Sequence, residues 1–237
     1  MSKEAIYKLK KEISELEDDV ERLSAMEEAV KIVLNGGYGA IGSPAFRWYD
    51  ETIAEGITST GQVAIRYITK KLNEFINLHS GTEGIDYICS SDTDSVYSEI
   101  EYIVRRKWPD EKDPSKLTDL IDEFVKTEMD PYIDEMYQEL ARYMNWDVNL
   151  LDMKREGIAD TFIIRAKKNY IMKIYDMEGV RFADPYYKFM GVESVRTSTP
   201  IMVRTALEDC YKIIIDGTQD ELRDYVKKFH NSFIEAP

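Results

Sequence analysis

The sequence predicts an α+β fold, and three observations carry that expectation. Long stretches near both ends repeat apolar residues at three- and four-residue steps among charged ones, the period of an amphipathic helix. Two segments, "IDYICSSDTDSVYSEI" and "FIIRAKKNYIMKIYDMEGVRFAD", instead read as extended chain folded back on itself. Helical and extended segments come in runs rather than in strict alternation, so a doubly wound parallel sheet is not expected.

Taken in order, residues 3–34 form one amphipathic helix with Ile6, Leu9, Ile13, Leu16, Val20, Leu23 and Met26 on its apolar stripe. A coiled-coil arm is the plain reading of residues 3–28. The turn-rich "NGGYGAIGSPAFRWYD" follows, and "ETIAEGITSTGQVAIRYITKKLNEFINLH" is a second helix whose apolar face runs through Ile65, Ile68 and Leu72. The segment around "SSDTDS" is strand, tight turn, strand. Pro109 and Pro114 bracket a charged loop, and the helical stretch after it is expected to bend near Pro131. "FIIRAKKNYIMKIYD" and "VRFAD" flank "MEG" as a hairpin, with Gly179 supplying the positive φ of the turn. Helices from about Thr199 to Ile215 and from Gln219 to Ile234 close the chain.

The 237 residues are 43% hydrophobic, enough for one or two packed cores. A net charge of −14 excludes a general nucleic-acid coat, because the average surface repels phosphate. Residues 99–139 hold 13 acidic and 6 basic side chains, whereas residues 153–173 hold 2 acidic and 6 basic. The second stretch is the better candidate for a phosphate backbone. Cys89 and Cys210 are the only cysteines, and no apolar run is long enough to span a membrane, which leads us to expect an intracellular, cytoplasmic protein. With His79 and His230 far apart, any metal is expected to be a hard, oxygen-bound one.

Three constellations carry chemistry. Asp92 and Asp94, two residues apart at a hairpin tip, can converge on one point, and two like charges that close call for a cation between them. Val96 and Tyr97 follow where a calcium loop wants more oxygen ligands, so Mg²⁺ held by carboxylates and substrate phosphates fits better; a solvated turn is the plain alternative. Lys31, Asn35 and Tyr38 fall within roughly 60° on a helix, uniting an ammonium, an amide and a phenol suited to a triphosphate and a base pair. Gly39 permits close backbone approach beside them; a solvated lysine and a core tyrosine are the plain alternative. If residues 161–175 form one strand, Lys168 and Tyr170 share a face with Ile164 and Met172, opposite Arg165, Lys167 and Lys173. That pair could hold a nucleic-acid backbone, though lysines on an exposed strand are commonplace.

In order, "KIVLNGGYG", "SDTDSVY" and "AKKNY" resemble the region B, region C and lysine-x-tyrosine motifs of family B DNA polymerases, in particular the T-even-like phage branch. Intervening stretches such as "GAIGSPAFRWYD", "EMDPYIDEMYQELARYMN" and "KFMGVESVRTSTP" resemble it too, so the likeness runs from about Lys31 to the end. The resemblance implies a fingers helix over residues 1–40, a palm with an antiparallel sheet and packed helices over 41–198, and a helical end over 199–237 leading toward a thumb. It implies Lys31 and Asn35 on the incoming dNTP, with Tyr38 and Gly39 under the nascent base pair. It further implies Asp94 as the shared ligand of two Mg²⁺ ions with Asp92 supporting it, Glu156 near the metals, and Thr93, Lys168 and Tyr170 at the primer; Mn²⁺ is able to substitute.

Several positions depart from the family pattern. Gly36 and Gly37 stand in region B where the family usually has serine and a variable residue, Ser90 and Ser91 precede Asp92, Lys154 replaces a common acid, and Asn169 a common arginine. No segment resembles region A, which carries the other shared aspartate. The expectation is therefore a split polymerase: a partner polypeptide supplies region A, the exonuclease and the other fingers helix, with primer-template DNA and dNTP as substrates and a sliding clamp as a further partner. The alternatives are a catalytically inactive DNA-binding or assembly module, and a coiled-coil interaction protein whose acidic turn is incidental.

Overall fold

The computed structural model describes residues 3–234. The first two and last three residues of the segments 1–40 and 199–237 therefore lie outside the described residues. The architecture is α+β, with seven α-helices and two small antiparallel sheets among the described residues. It divides into two units, one up to Val63 and one from Ala64, the division falling within the second helix.

The first unit is built on α1 (Lys3–Ile41), which continues beyond the expected end at residue 34 and through Gly36, Gly37 and Gly39. The glycines do not break it because nothing there demands a left-handed backbone, and a Cβ added at any of the three would meet no atom within 4 Å. Replacing Gly36 or Gly37 with Ala is accordingly expected to favour the helix by about 0.8–1 kcal/mol each, read as higher helicity by circular dichroism. The turns after Ile41 end at Asp50, whose N–H donates to Ile41 O at 2.9 Å and whose carboxylate accepts from Ile53 N–H at 3.0 Å. That carboxylate is the N-cap of α2 (Glu51–Ser80), satisfying one of its orphan donors.

In the second unit the remainder of α2 buries Ala64, Ile68, Leu72, Phe75 and Ile76 at three- and four-residue steps. They pack with α4 (Pro114–Phe124) and α5 (Asp130–Tyr143), contributing Phe124, Ile133, Met136, Tyr137 and Leu140 to one core, joined by Ile103 from the short α3 (Glu101–Lys107). Pro114 opens α4 behind the N-cap Asp113. At the expected disturbance by Pro131, residues Val125–Met129 form one π-helical turn in which Asp130 N–H reaches back to Val125 O. The wider turn leads into a proline that has no N–H to donate.

Strands β1 (Ile88–Asp92) and β2 (Ser95–Ser98) form the first antiparallel pair as expected. The second sheet corrects the sequence reading. Instead of one strand over 161–175 followed by a hairpin, β3 (Gly157–Ala166), β4 (Asn169–Met177) and β5 (Val180–Met190) form a three-stranded antiparallel meander. The chain reverses at Lys167–Lys168, because Lys168 adopts a left-handed φ of 57° and Ala166 pairs with Asn169. Lys168 is thus a turn residue and does not share a strand face with Tyr170. The second reversal follows the sequence: Glu178 and Gly179 both have positive φ, 53° and 85°, as a two-residue hairpin turn requires. Helices α6 (Ile201–Asp216) and α7 (Gln219–Ile234) complete the chain, with Phe189 of β5 stacked on Tyr211 of α6 at 5.6 Å.

Candidate active site at the carboxylate hairpin

The hairpin is placed by two amides of α2. Asn77 is buried, donating to Ile85 O at 2.7 Å and accepting from Ile85 N–H at 3.1 Å, while the Asn73 carboxamide oxygen accepts from Tyr87 N–H at 2.8 Å. These bonds fix the chain entering β1 to the helix that carries the core. At the tip Asp92 pairs with Ser95, leaving Thr93 and Asp94 as the two-residue turn. Asp94 therefore sits in the turn and not two places along a strand from Asp92, so the alternation argument for their convergence does not apply. Thr93 holds a φ of 29°, which for a β-branched residue costs on the order of 1–3 kcal/mol. Its hydroxyl donates to the Asp92 carboxylate at 3.3 Å.

Asp92 and Asp94 differ in surroundings. Asp94 is exposed. Asp92 is half-buried and faces two ammonium groups, Lys168 at 3.3 Å and Lys167 at 3.4 Å. Burial pushes the Asp92 carboxyl up, but the bonds and charges of Lys168 and Lys167 outweigh it and hold the group below its ordinary range. The turn of the second sheet thus closes on the tip of the first.

A second link joins the two sheets. Tyr170, at the start of β4 and only 9% exposed, shares a 3.2 Å hydrogen bond with the Tyr97 hydroxyl of β2. Phe162 lies tilted over the Tyr97 ring at 4.9 Å and meets the Tyr170 ring edge to face at 5.3 Å. Burial, then the Tyr97 hydrogen bond, push the Tyr170 phenol well above its ordinary value, so it stays protonated. Tyr97, Phe162 and Lys167 were not singled out as site residues in the sequence. The available signal was the two-residue loop itself, which sets both lysines at a hairpin end. Gly191, with φ 63°, backs this loop: its carbonyl accepts from the Asn169 amide at 2.9 Å, and a Cβ would stand 2.0 Å from Lys168 O. Gly191→Ala is expected to shift the lysine turn and cost at least about 1 kcal/mol, read as a lower denaturant midpoint.

The basic stretch 153–173 offers less charge to a phosphate backbone than its composition suggested. Arg155 is committed to Asp122 and Asp176, Lys154 pairs with Asp152 at 2.8 Å, and Lys173 pairs with Asp216 at 2.6 Å. Arg165, Lys167 and Lys168 remain on or beside the exposed turn. Glu156 lies just before β3, 3.6 Å from Lys188. Among the described residues no three His, Cys, Asp or Glu side chains gather into a metal-binding group.

In the first unit, Lys31, Asn35 and Tyr38 all lie on the continuous α1 and, by its 3.6-residue period, on one face. Lys31 pairs with Glu27 at 2.6 Å, and Tyr38 is exposed rather than part of a core. Gly39 stands beside open space. No helix among the described residues is long and apolar enough to cross a membrane.

No protein-family model matches the chain. It is 38% identical over 212 residues, 86% of its length, to the DNA-directed DNA polymerase of Enterobacteria phage T4, and 37% identical over 191 residues, 77% of its length, to that of Escherichia phage RB69. DNA polymerase 2 of Aeropyrum pernix matches at 26% over 208 residues, 86% of this chain and 20% of that protein. The chain spans 24% and 21% of the length of the two phage relatives. A hairpin of acidic residues, closed by a lysine turn and carried on an α+β scaffold, thus belongs here to a homologue of one region of the family B DNA polymerases. Within that class the relationship is to the enzymes of phages T4 and RB69 over most of this chain.

Proposed function

We propose that this chain is the part of a DNA-directed DNA polymerase that carries the region C carboxylates, the primer-side lysine–tyrosine turn and a triphosphate-facing helix. It acts in template-directed transfer of a nucleotide from dNTP to a primer 3′ hydroxyl. The observation that carries the reading is the closure of two polymerase-like motifs on one another: Lys167 and Lys168 on Asp92, and Tyr170 on Tyr97.

The donor set at the tip is all carboxylate oxygen, which suits Mg²⁺ or Mn²⁺ and not a soft metal. Asp94 would hold the ions, with Asp92 and Glu156 in support. Divalent ions held there would supply activation of the primer hydroxyl and stabilisation of the pyrophosphate leaving group. The protein's own part is position and charge. Lys168, carried on a turn with its ammonium exposed, exchanges Asp92 for a primer phosphate. Tyr170, locked by Tyr97 and Phe162, offers a fixed edge against which the terminal nucleotide is held, and Thr93 borders it. On α1, Lys31 exchanges Glu27 for a dNTP phosphate, Asn35 supplies hydrogen bonds, and Tyr38 with Gly39 offers a flat surface to the nascent base pair.

Two carboxylates at a tip make half of a two-ion cage, so a complementing polypeptide is proposed to bring the region A aspartate, with exonuclease and clamp contacts belonging to the complete assembly. Mixing the chain with an upstream polymerase fragment and measuring Mg²⁺-dependent dNTP incorporation on a primed template tests this. Incorporation by the mixture alone is expected. A stable complex without incorporation would instead identify an inactive DNA-binding or assembly module.

A further inference from the structure

The second unit carries an open cleft of about 440 Å³ between the later half of α2 and the start of α5, with no strand residue in its lining. Phe75, Leu78 and His79 of α2 are three and four residues apart and so share one helix face. They give the cleft an apolar floor. Phe75 meets the rings of His79 and Tyr132 at 4.1 and 4.8 Å, and Leu78 is left 75% exposed. The rim is acidic: Glu74 of α2, Glu128 of the π-helical turn and Glu135 of α5 border the cleft, and among the described residues no Lys or Arg lines it.

The three carboxylates differ in what already holds them. Glu128 is engaged, accepting from Lys107 at 2.5 Å and standing 3.4 Å from His79 Nδ1. Glu74 is held only loosely, with Lys71 at 3.7 Å and Lys70 at 3.9 Å. Glu135 is exposed, and no cation pairs with it among the described residues. Two available carboxylates above an aromatic floor define the occupant by its charge. Nucleic acid and anionic membranes are repelled. Among cations a guanidinium fits better than an ammonium, because it is planar, weakly hydrated, lies against aromatic faces and offers carboxylates a fork of donors. The cleft is open on one side, so a free small cation would keep much of its surface in water, whereas a side chain delivered by a bound polypeptide is held by the rest of its segment. Exposed Leu78 suits an apolar neighbour on that segment.

We propose that this cleft docks a segment of another protein, whose arginine enters between the carboxylates of Glu74 and Glu135 and whose adjacent apolar residue covers Leu78. The site goes beyond nucleotide transfer, and its test uses neither DNA nor nucleotide, so its outcome is separate from that of the incorporation assay.

Synthetic peptides Gly-Ser-Leu-X-Leu-Ser-Gly, with Arg, Lys or citrulline at X, serve as probes, followed through the amide NMR shifts of the full chain. The Arg peptide is expected to shift the amides of Leu78, His79 and Glu135 and to bind roughly tenfold more tightly than the citrulline peptide, which keeps the shape without the charge. The Lys peptide falls between them. Glu74→Gln combined with Glu135→Gln removes the preference for Arg and leaves Tm within about 1 °C, since both carboxylates are exposed. Leu78→Ser weakens all three peptides and keeps the preference. Equal binding of the Arg and citrulline peptides, shifts confined to other surfaces, absence of binding, or free argininamide binding as tightly as the Arg peptide would each overturn the proposal.

Discussion

Asp176→Ala is expected to destabilise the second unit by about 3–5 kcal/mol, lowering its Tm by on the order of 10 °C. Asp176 lies on β4 with its side chain fully buried. It accepts from the guanidinium groups of both Arg155 and Arg181 and from Gly179 N–H at 3.2 Å. The same arginines reach α4: Arg155 to Asp122 at 2.7 Å, and Arg181 to Asp119 at 2.9 Å and Asp122 at 3.2 Å. Removing Asp176 takes the fully buried partner from both arginines and leaves them to share the carboxylates of one helix, and breaking a buried pair from one side is the costly outcome. Asn at this position keeps the volume and an acceptor and is expected to cost less. Lys154→Ala, which breaks only an exposed pair, should leave Tm within about 1 °C. The network also gives an acid dependence. Burial pushes Asp122 up, but Lys126 and Arg155 outweigh it and hold the carboxyl below the ordinary range. Its contribution is therefore complete above the unfolded aspartate value of about 3.9 and is lost as pH falls from there through the lower folded value. Thermal melts of wild type and Asp122→Asn should draw closer as pH is lowered from 7 through the aspartate range.

This network was invisible in the sequence, and the reason is physical. Arg155, Asp176 and Arg181 look like ordinary exposed charges on a polar background, and only the three-stranded meander brings them against α4. The meander itself was missed because "RAKKNYIMK" has no Gly or Pro at its reversal. The turn is set by Lys168 in a left-handed conformation, which side-chain composition does not announce, whereas Gly179 announces its own turn. The longer helices were legible from periodicity, α7 to its terminal residues, whereas the seven-residue α3 was not, being too short to show a period. The end of α1 was not, because Gly36 and Gly37 lower helix propensity without forbidding the helix. At the candidate site the acidic hairpin could be read directly. The partners that hold it could not, since Asn73 and Asn77 look like ordinary polar positions of a helix until the following loop folds back onto them, and Tyr97 meets Tyr170 across 73 residues of chain.

The second large effect is expected at Asp94. In the complemented assembly, Asp94→Asn should lower Mg²⁺-dependent incorporation by on the order of 10³-fold, with Asp92→Asn falling less, by roughly tenfold. The difference follows from what each carboxylate already holds. Asp92 is engaged by Lys167 and Lys168, so part of its charge is spent on keeping the lysine turn in place. Asp94 is exposed on the turn, and no ion pair engages its side chain among the described residues, so its full charge is available to a divalent cation. Activity alone cannot separate metal binding from collapse of the hairpin. Because Asp94 packs against nothing that holds the core, Asp94→Asn should leave Tm unchanged while weakening Mn²⁺ binding measured by paramagnetic titration. Asp92→Asn should retain more Mn²⁺ affinity but loosen the contact between the sheets, seen as faster amide exchange at Asn169 and Tyr170. If the two variants lose activity and Mn²⁺ affinity equally, the carboxylates act as one symmetric pair, and the division of labour between metal holding and turn holding is wrong.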